Sequence, residues 1–202
     1  MNFWDERYSE PGFAYGTRAN DFLAAEAHRI PPGRVLCIAE GEGRNAVHLA
    51  KLGYDVTAVD QSAVGMDKAM QLAEQHHVAI KTIVADLATY DIASAEWNGI
   101  VSISAHLPPV IRQRIHHQIV NGLKQGGVLI LEAYTVRHLD IGGMGGPKRE
   151  NKDMFMSLNT LLTELGGLSF DVAQEIERDV NEGRYHKGRG AVVQLVATRT
   201  RR

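Results

Sequence analysis

A single cysteine, Cys37, stands in 202 residues, so no disulfide can close within the chain. That excludes the small secreted class in which cross-links replace a core. Long apolar runs are missing too: none approaches the ~18 to 20 residues needed to span a bilayer. The opening stretch, Met1 to Ser9, sets Trp4 among Asp5, Glu6 and Arg7 and lacks the apolar centre of a secretory signal. Nor does one sign of charge prevail. With 22 basic against 24 acidic residues and a net charge of -2, no global field draws a polyanion. The basic tail from Thr198 to Arg202 is short and reads as a solvated terminus. The expectation is a cytoplasmic protein, monomer or homodimer, with no nucleic-acid or membrane partner.

What is present is ordinary globular material, 44% apolar and 23% charged, enough for one domain over 1–202. Within it, 1–30 reads as a covering segment and 31–202 as the core. Short apolar runs alternate with amphipathic stretches, the pattern of βα units around a mostly parallel sheet. Asn20 caps a predicted helix from Asp21 to Arg29, and Arg34 to Ala39 reads as a buried strand. Further strands are predicted at Asp55 to Val59, Ile80 to Val84, Gly99 to Ser104 and Val128 to Ala133. Helices are predicted at Asn45 to Leu52, Ser62 to His76, Pro109 to Leu123 and Met154 to Leu165. The run Gly142-Gly143-Met144-Gly145-Gly146-Pro147 predicts a mobile loop. Two β-rich stretches, Ser169 to Arg178 and Ala191 to Thr198, have no crossover helix between them. They should therefore pair antiparallel.

The stretch Val35-Leu36-Cys37-Ile38-Ala39-Glu40-Gly41-Glu42-Gly43-Arg44-Asn45-Ala46 runs a strand through a glycine turn into a helix. Gly41 and Gly43 allow close backbone approach, and the helix's free N–H groups face the same spot. Nineteen residues after Gly41, Asp60 closes the second strand, where a carboxylate can accept from vicinal ribose hydroxyls. Asp86 follows the third strand and can accept from an exocyclic amine such as that of adenine. The pattern implies a nucleoside cofactor. It also satisfies the nicotinamide fingerprint through Gly41, Gly43 and Ala46. The leading helix, the acid after the third strand and the two closing β segments weaken that dehydrogenase reading.

These residues resemble the class I S-adenosylmethionine-dependent methyltransferases, and within them the small tellurite-resistance and thiopurine-methyltransferase-like branch. The likeness rests on Gly41 to Asn45, Leu49 to Asp60, Ala85-Asp86-Leu87, Leu123 to Gly127 and Ala191 to Ala197. It implies a Rossmann-like doubly wound α/β sheet of seven strands in the order 3-2-1-4-5-7-6, with strand 7 antiparallel. It implies S-adenosyl-L-methionine as cofactor and S-adenosyl-L-homocysteine as product. By the same resemblance the backbone from Ala39 to Gly43, with Glu40 and Asn45, holds the methionine part. Asp60 takes the ribose, Gln61 and Ser62 surround it, and Asp86 with Leu87 takes the adenine. Two positions depart from the family's pattern: Cys37 stands where an acid is usual, and Ala39 where the first glycine is usual.

Methyl transfer is an in-line displacement needing alignment more than chemistry from the protein. The expected acceptor is a small molecule, a thiol or a chalcogen oxyanion; a protonated acceptor would also need a base. His106 and His186 are the catalytic candidates. Tyr15, Arg178 and Arg184 are the substrate candidates, the arginines (with Arg189) as an anion-binding rim. The pairs His76-His77 and His116-His117 share no helical face, so no metal is expected. A binding module that keeps the cofactor pocket without chemistry is the third reading.

Overall fold

The computed structural model describes residues 2–200; Arg201 and Arg202 of the basic tail lie outside the described residues. The chain runs α1 (Phe3–Ser9), α2 (Asp21–Glu26), β1 (Arg34–Ile38), α3 (Arg44–Lys51), β2 (Asp55–Asp60), α4 (Ala63–Gln75) and β3 (Lys81–Val84). It continues β4 (Trp97–Ile103), α5 (Pro109–Gly122), β5 (Leu123–Tyr134), α6 (Leu158–Glu164), β6 (Ser169–Glu182) and β7 (His186–Thr198). The seven strands form one sheet in the order β3-β2-β1-β4-β5-β7-β6. β1 to β5 are parallel, while β7 runs antiparallel to both β5 and β6. Order and direction are those expected.

Alternation along each strand builds the two layers. In β1, Leu36 and Ile38 face a core with Ile115 and Ile119 of α5 and Leu161 of α6. Val35 and Cys37 face the other side, with Leu23 of α2, Leu49 of α3 and Met66 and Ala69 of α4. A strand buried on both faces must read as a continuous apolar run, which is why β1 and β4 were legible.

Four boundaries differ from the sequence reading. The leading segment contains a helix, α1, whose N-cap Asn2 accepts from the Asp5 amide and whose body lies against α4. Its seven residues are too few for amphipathic spacing to register as a pattern. β6 and β7 extend to Glu182 and His186, a long hairpin where a polar loop was expected. The expected helix from Met154 divides into a 3₁₀ stretch, Arg149–Met154, and α6, which starts only after its cap Ser157 accepts from the Thr160 amide. The glycine run at 142–147 has little regular structure, yet Met144 and Lys187 exchange backbone hydrogen bonds of 2.8 and 3.2 Å, tying it to β7.

Candidate active site

Parallel strands bring their carboxyl ends to one edge, and a doubly wound sheet opens a crevice there. Two residues at that edge hold strained backbones: Ala39 after β1 at φ +49° and Ser104 after β4 at φ +56°. A left-handed conformation at a non-glycine residue costs about 1 to 2 kcal/mol and collects at functional sites. Ala39 thus adopts the geometry of the glycine it replaces.

Asp60 sits across from this turn. Its carboxylate accepts from the Gly41 amide at 2.9 Å and the Ser62 amide at 2.9 Å. Burial raises its pKa, against those backbone hydrogen bonds. Ser62 Oγ in turn donates to Asp5 of α1 at 2.7 Å, so α1 closes over the end of β2. Tyr8 of the same helix fills the space a Cβ at Gly41 would need. Gly43 is glycine for another reason: a Cβ there would lie 2.5 Å from the Ala69 Cβ. Helix packing therefore explains Gly43, while Gly41 lies directly beneath Tyr8.

The other expected cofactor residues divide. Glu40 is buried and its Oε1 accepts from the Asn45 and Ala46 amides at 2.9 and 2.8 Å, capping α3. Burial pushes its carboxyl up to about 7 despite those bonds and the Arg44 charge. The anion-receptive start of α3 is occupied by the protein's own carboxylate. Cys37, fully buried, points into the apolar layer. Asn45 Oδ1 accepts from the Asn20 amide, a tie between helices. Gln61 and Asp86 are exposed, and Asp86 Oδ1 accepts from the Ala88 amide, leaving its second oxygen to solvent. Val84 beside them is 55% exposed, unusual for a strand end. The Leu87 side chain belongs to the core. The turn, the Asp60 carboxylate, the open end of β3 and the strained Ala39 thus lie along one edge of the sheet, with α1 over Gly41 and Ser62.

Around the end of β5 lies an aromatic and imidazole cluster. The His186 ring centre is 4.5 Å from that of Tyr15 and 5.4 Å from that of Tyr134, and Tyr134 stacks on His138 at 4.0 Å. His106 is also at this edge, but its Nδ1 lies 3.2 Å from the Met154 carbonyl oxygen and its Nε2 accepts from the Tyr134 amide at 3.2 Å. Both nitrogens are committed, and burial lowers its pKa to about 4. His106 is placed to hold the β5 end in position, not to take a proton. His186 differs. It is buried, its Nδ1 makes no hydrogen bond, and Glu182 Oε2 stands 3.6 Å away, an ion-pair distance too long for a hydrogen bond. Burial lowers its pKa, against the pull of Glu182. His138, whose two ring nitrogens are buried without partners, was missed by the sequence reading.

The arginine rim does not form as expected. Arg178 donates to Glu132 at 2.6 Å and to Glu182 at 2.8 Å, while Arg44 donates to Glu182 at 2.6 Å. Asn20 Nδ2 bridges both carboxylates, and Gln194 donates to Glu132. Arg184 pairs with Glu10 at 3.1 Å and Arg189 lies beside Glu177. Arg44 and Arg178 are neutralised within the protein because a buried charge without a partner is costly, whereas Arg184 and Arg189 are exposed and keep partly exposed carboxylate partners. The signal for this network was in the sequence: Glu132 interrupts an apolar strand, and Arg178 and Glu182 share one strand face. A carboxylate in such a run demands a partner.

Residues 35–127, a little under half of the chain, match the family described as a methyltransferase domain. No curated protein matches the chain by sequence. Among solved structures, TehB from Haemophilus influenzae is similar at 19% identity, over 98% of this chain and 66% of that one, with a TM-score of 0.73. The N-methyltransferase NodS from Bradyrhizobium japonicum is similar at 14% identity over 88% and 92%, with a TM-score of 0.63. The cyclase SpnF is similar at 15% identity over 98% and 91%, with a TM-score of 0.70. Among the described residues no group of three metal-ligating side chains converges and no helix is long and apolar enough to cross a membrane.

Proposed function

We infer that this chain is a class I methyltransferase, a reading its domain match and fold support, and that it moves the methyl group of S-adenosylmethionine to a small thiol-like acceptor at the Tyr15–Tyr134–His186 mouth. The observation that carries the cofactor half is Asp60 facing the Gly41 amide across the β1 turn. The bound cofactor supplies an activated methyl carbon, so the protein's task is alignment and proton handling.

The acceptor's character follows from what the mouth offers. With Arg178 held by Glu132 and Glu182 in a buried network, and Arg184 turned to Glu10, both candidate arginines already face protein carboxylates. Aromatic rings and neutral imidazoles favour a neutral, soft nucleophile. The Glu182 carboxylate favours the tautomer with its proton on His186 Nδ1, which leaves Nε2 to accept the acceptor's proton. Residues 1–30 act as the cover and 31–202 as the core of one domain. That SpnF is a cyclase on this fold is a reason to test the reaction rather than assume it.

Thermal-shift titration with S-adenosylmethionine, S-adenosylhomocysteine and NADH tests the reading. The two sulfur nucleosides should raise the melting temperature of the intact protein, and Asp60→Asn, which keeps the side chain's shape, should abolish the shift. A response to NADH alone would overturn the assignment. Binding without turnover of any thiol would instead support a module that retains the pocket without chemistry.

A further inference from the structure

Between α3 and the Thr17–Ala19 segment lies a cleft of about 250 Å³ whose lining includes none of Tyr15, Tyr134 and His186. Its lining is one-sided in charge. Arg44, Val47, His48 and Lys51 recur at helical spacing on one face of α3, Arg18 stands opposite, and His76 closes α4 beside them. No carboxylate is among the lining residues. Amphipathic spacing would normally place apolar side chains on a helix face turned toward the protein; here that face carries three groups able to bear positive charge.

Partnering is incomplete as well. Lys51 makes no ion pair among the described residues. Arg44 spends one guanidinium nitrogen on Glu182 and another, at 3.4 Å, on the Arg18 carbonyl. Arg18 pairs with Asp21 across an exposed 2.9 Å contact, of the kind that yields readily to a better anion. His48 Nε2 is buried with no hydrogen-bond partner. Burial and then the Lys51 charge lower the His48 pKa. The cleft therefore gathers an imidazole, two guanidinium groups and an ammonium with no carboxylate among its lining residues, and Lys51 and His48 bring donors that the protein leaves unpaired.

We propose that this cleft binds a small phosphate-bearing anion, at a site separate from the methyl-transfer mouth, through Arg18, Arg44, His48 and Lys51. A tetrahedral phosphate offers three acceptor oxygens and a charge near -2, which matches donors arriving from α3 and from the leading segment at once. A planar carboxylate would leave part of the set unpaired. The volume is several times the ~30 Å³ share of one water, so a phosphate and a small organic body fit together.

The test is a titration of the full chain at constant ionic strength with inorganic phosphate, a small phosphate monoester, acetate and matched chloride, read by melting temperature and by the His48 imidazole resonances. Phosphate or the monoester should raise the melting temperature and move the His48 signals where chloride and acetate do not. The tighter of the two identifies free phosphate or a phosphorylated metabolite as the source. Arg18→Gln with Lys51→Gln, both at exposed positions, should weaken binding by about tenfold or more, the equivalent of one charge-assisted contact. Equal responses to acetate and phosphate, a response matched by chloride, or binding undiminished in the double variant would overturn the proposal. Asp60→Asn should leave phosphate binding intact, so this site and the cofactor reading fail separately.

Discussion

Ala39 concentrates the tension between fold and ligand in one methyl group. Its φ of +49° is a glycine's conformation. Ala39→Gly should relieve about 1 to 2 kcal/mol of left-handed strain and lose about 0.4 to 1 kcal/mol to the freer unfolded chain, a small net gain. Urea denaturation should show a midpoint equal to or slightly above the parent's, and calorimetry should show tighter S-adenosylhomocysteine binding as the backbone gains access. A clear loss of stability would mean that the methyl contributes contacts that outweigh the strain. Glu40 makes a second residue-scale case. Its carboxyl, raised from 4.5 to about 7, binds a proton more readily folded than unfolded. Its contribution is therefore complete below pH 4.5 and lost as pH rises through 7, with a slope of at most about 1.4 kcal/mol per pH unit. Glu40→Gln keeps an oxygen for the Asn45 and Ala46 amides and should flatten this decline in denaturation curves between pH 5 and 8. An unchanged slope would place the titration elsewhere.

Helix contacts explain at the next scale what motif reading assigned to the ligand. Gly43 opens α3 at φ +88°, and a Cβ there would meet Ala69 of α4 at 2.5 Å. Gly43→Ala should combine conformational strain with overpacking and cost about 2 to 4 kcal/mol. Gly53, at φ +93° with nothing within 4 Å, isolates the first component: Gly53→Ala should cost only about 1 kcal/mol in the same denaturation assay. Equal losses at the two positions would show that the α3–α4 contact relaxes freely. The hairpin of β6 and β7 shows the opposite case, an element underestimated because its polar residues face a partner. Asn181 to Lys187 looked like loop in sequence since Glu182, buried beneath the mouth, carries no apolar signal.

The ion network that spans α2, α3, β5 and β6 belongs to the molecule as a whole. Glu132, Glu182, Arg44 and Arg178 balance in charge, and removing any one leaves the network with a net buried charge. Glu132→Ala should cost about 3 to 5 kcal/mol, and Arg178→Ala a similar amount, because each strands a buried charge. The double variant should cost clearly less than the sum, measured by a double-mutant cycle on unfolding free energies. Strict additivity would mean that the two side chains act independently despite their 2.6 Å contact.

The order of the strands came from the family resemblance. The strands themselves, the glycine turn and the acids after β2 and β3 were legible in the sequence because each depends on local chemistry: apolar runs buried on both faces, positive φ at a turn, a carboxylate at a strand end. Asp60 was found in that way, and its partner amide at Gly41 is where the spacing put it. The roles of the histidines and arginines were not legible, because a side chain's availability depends on what reaches it from distant segments. Met154 and Tyr134 occupy the His106 nitrogens, Glu132 and Glu182 claim Arg178, and Asp5 and Tyr8 come from the far amino terminus to cover Gly41 and Ser62. The sequence by itself determined the strands and helices of a mostly parallel α/β sheet with a glycine turn and a carboxylate at its edge, since periodicity and backbone chemistry are written in neighbouring residues. Only the tertiary structure decided which charged and titratable groups remain open to a ligand, since desolvation forces buried charges to pair across the whole chain.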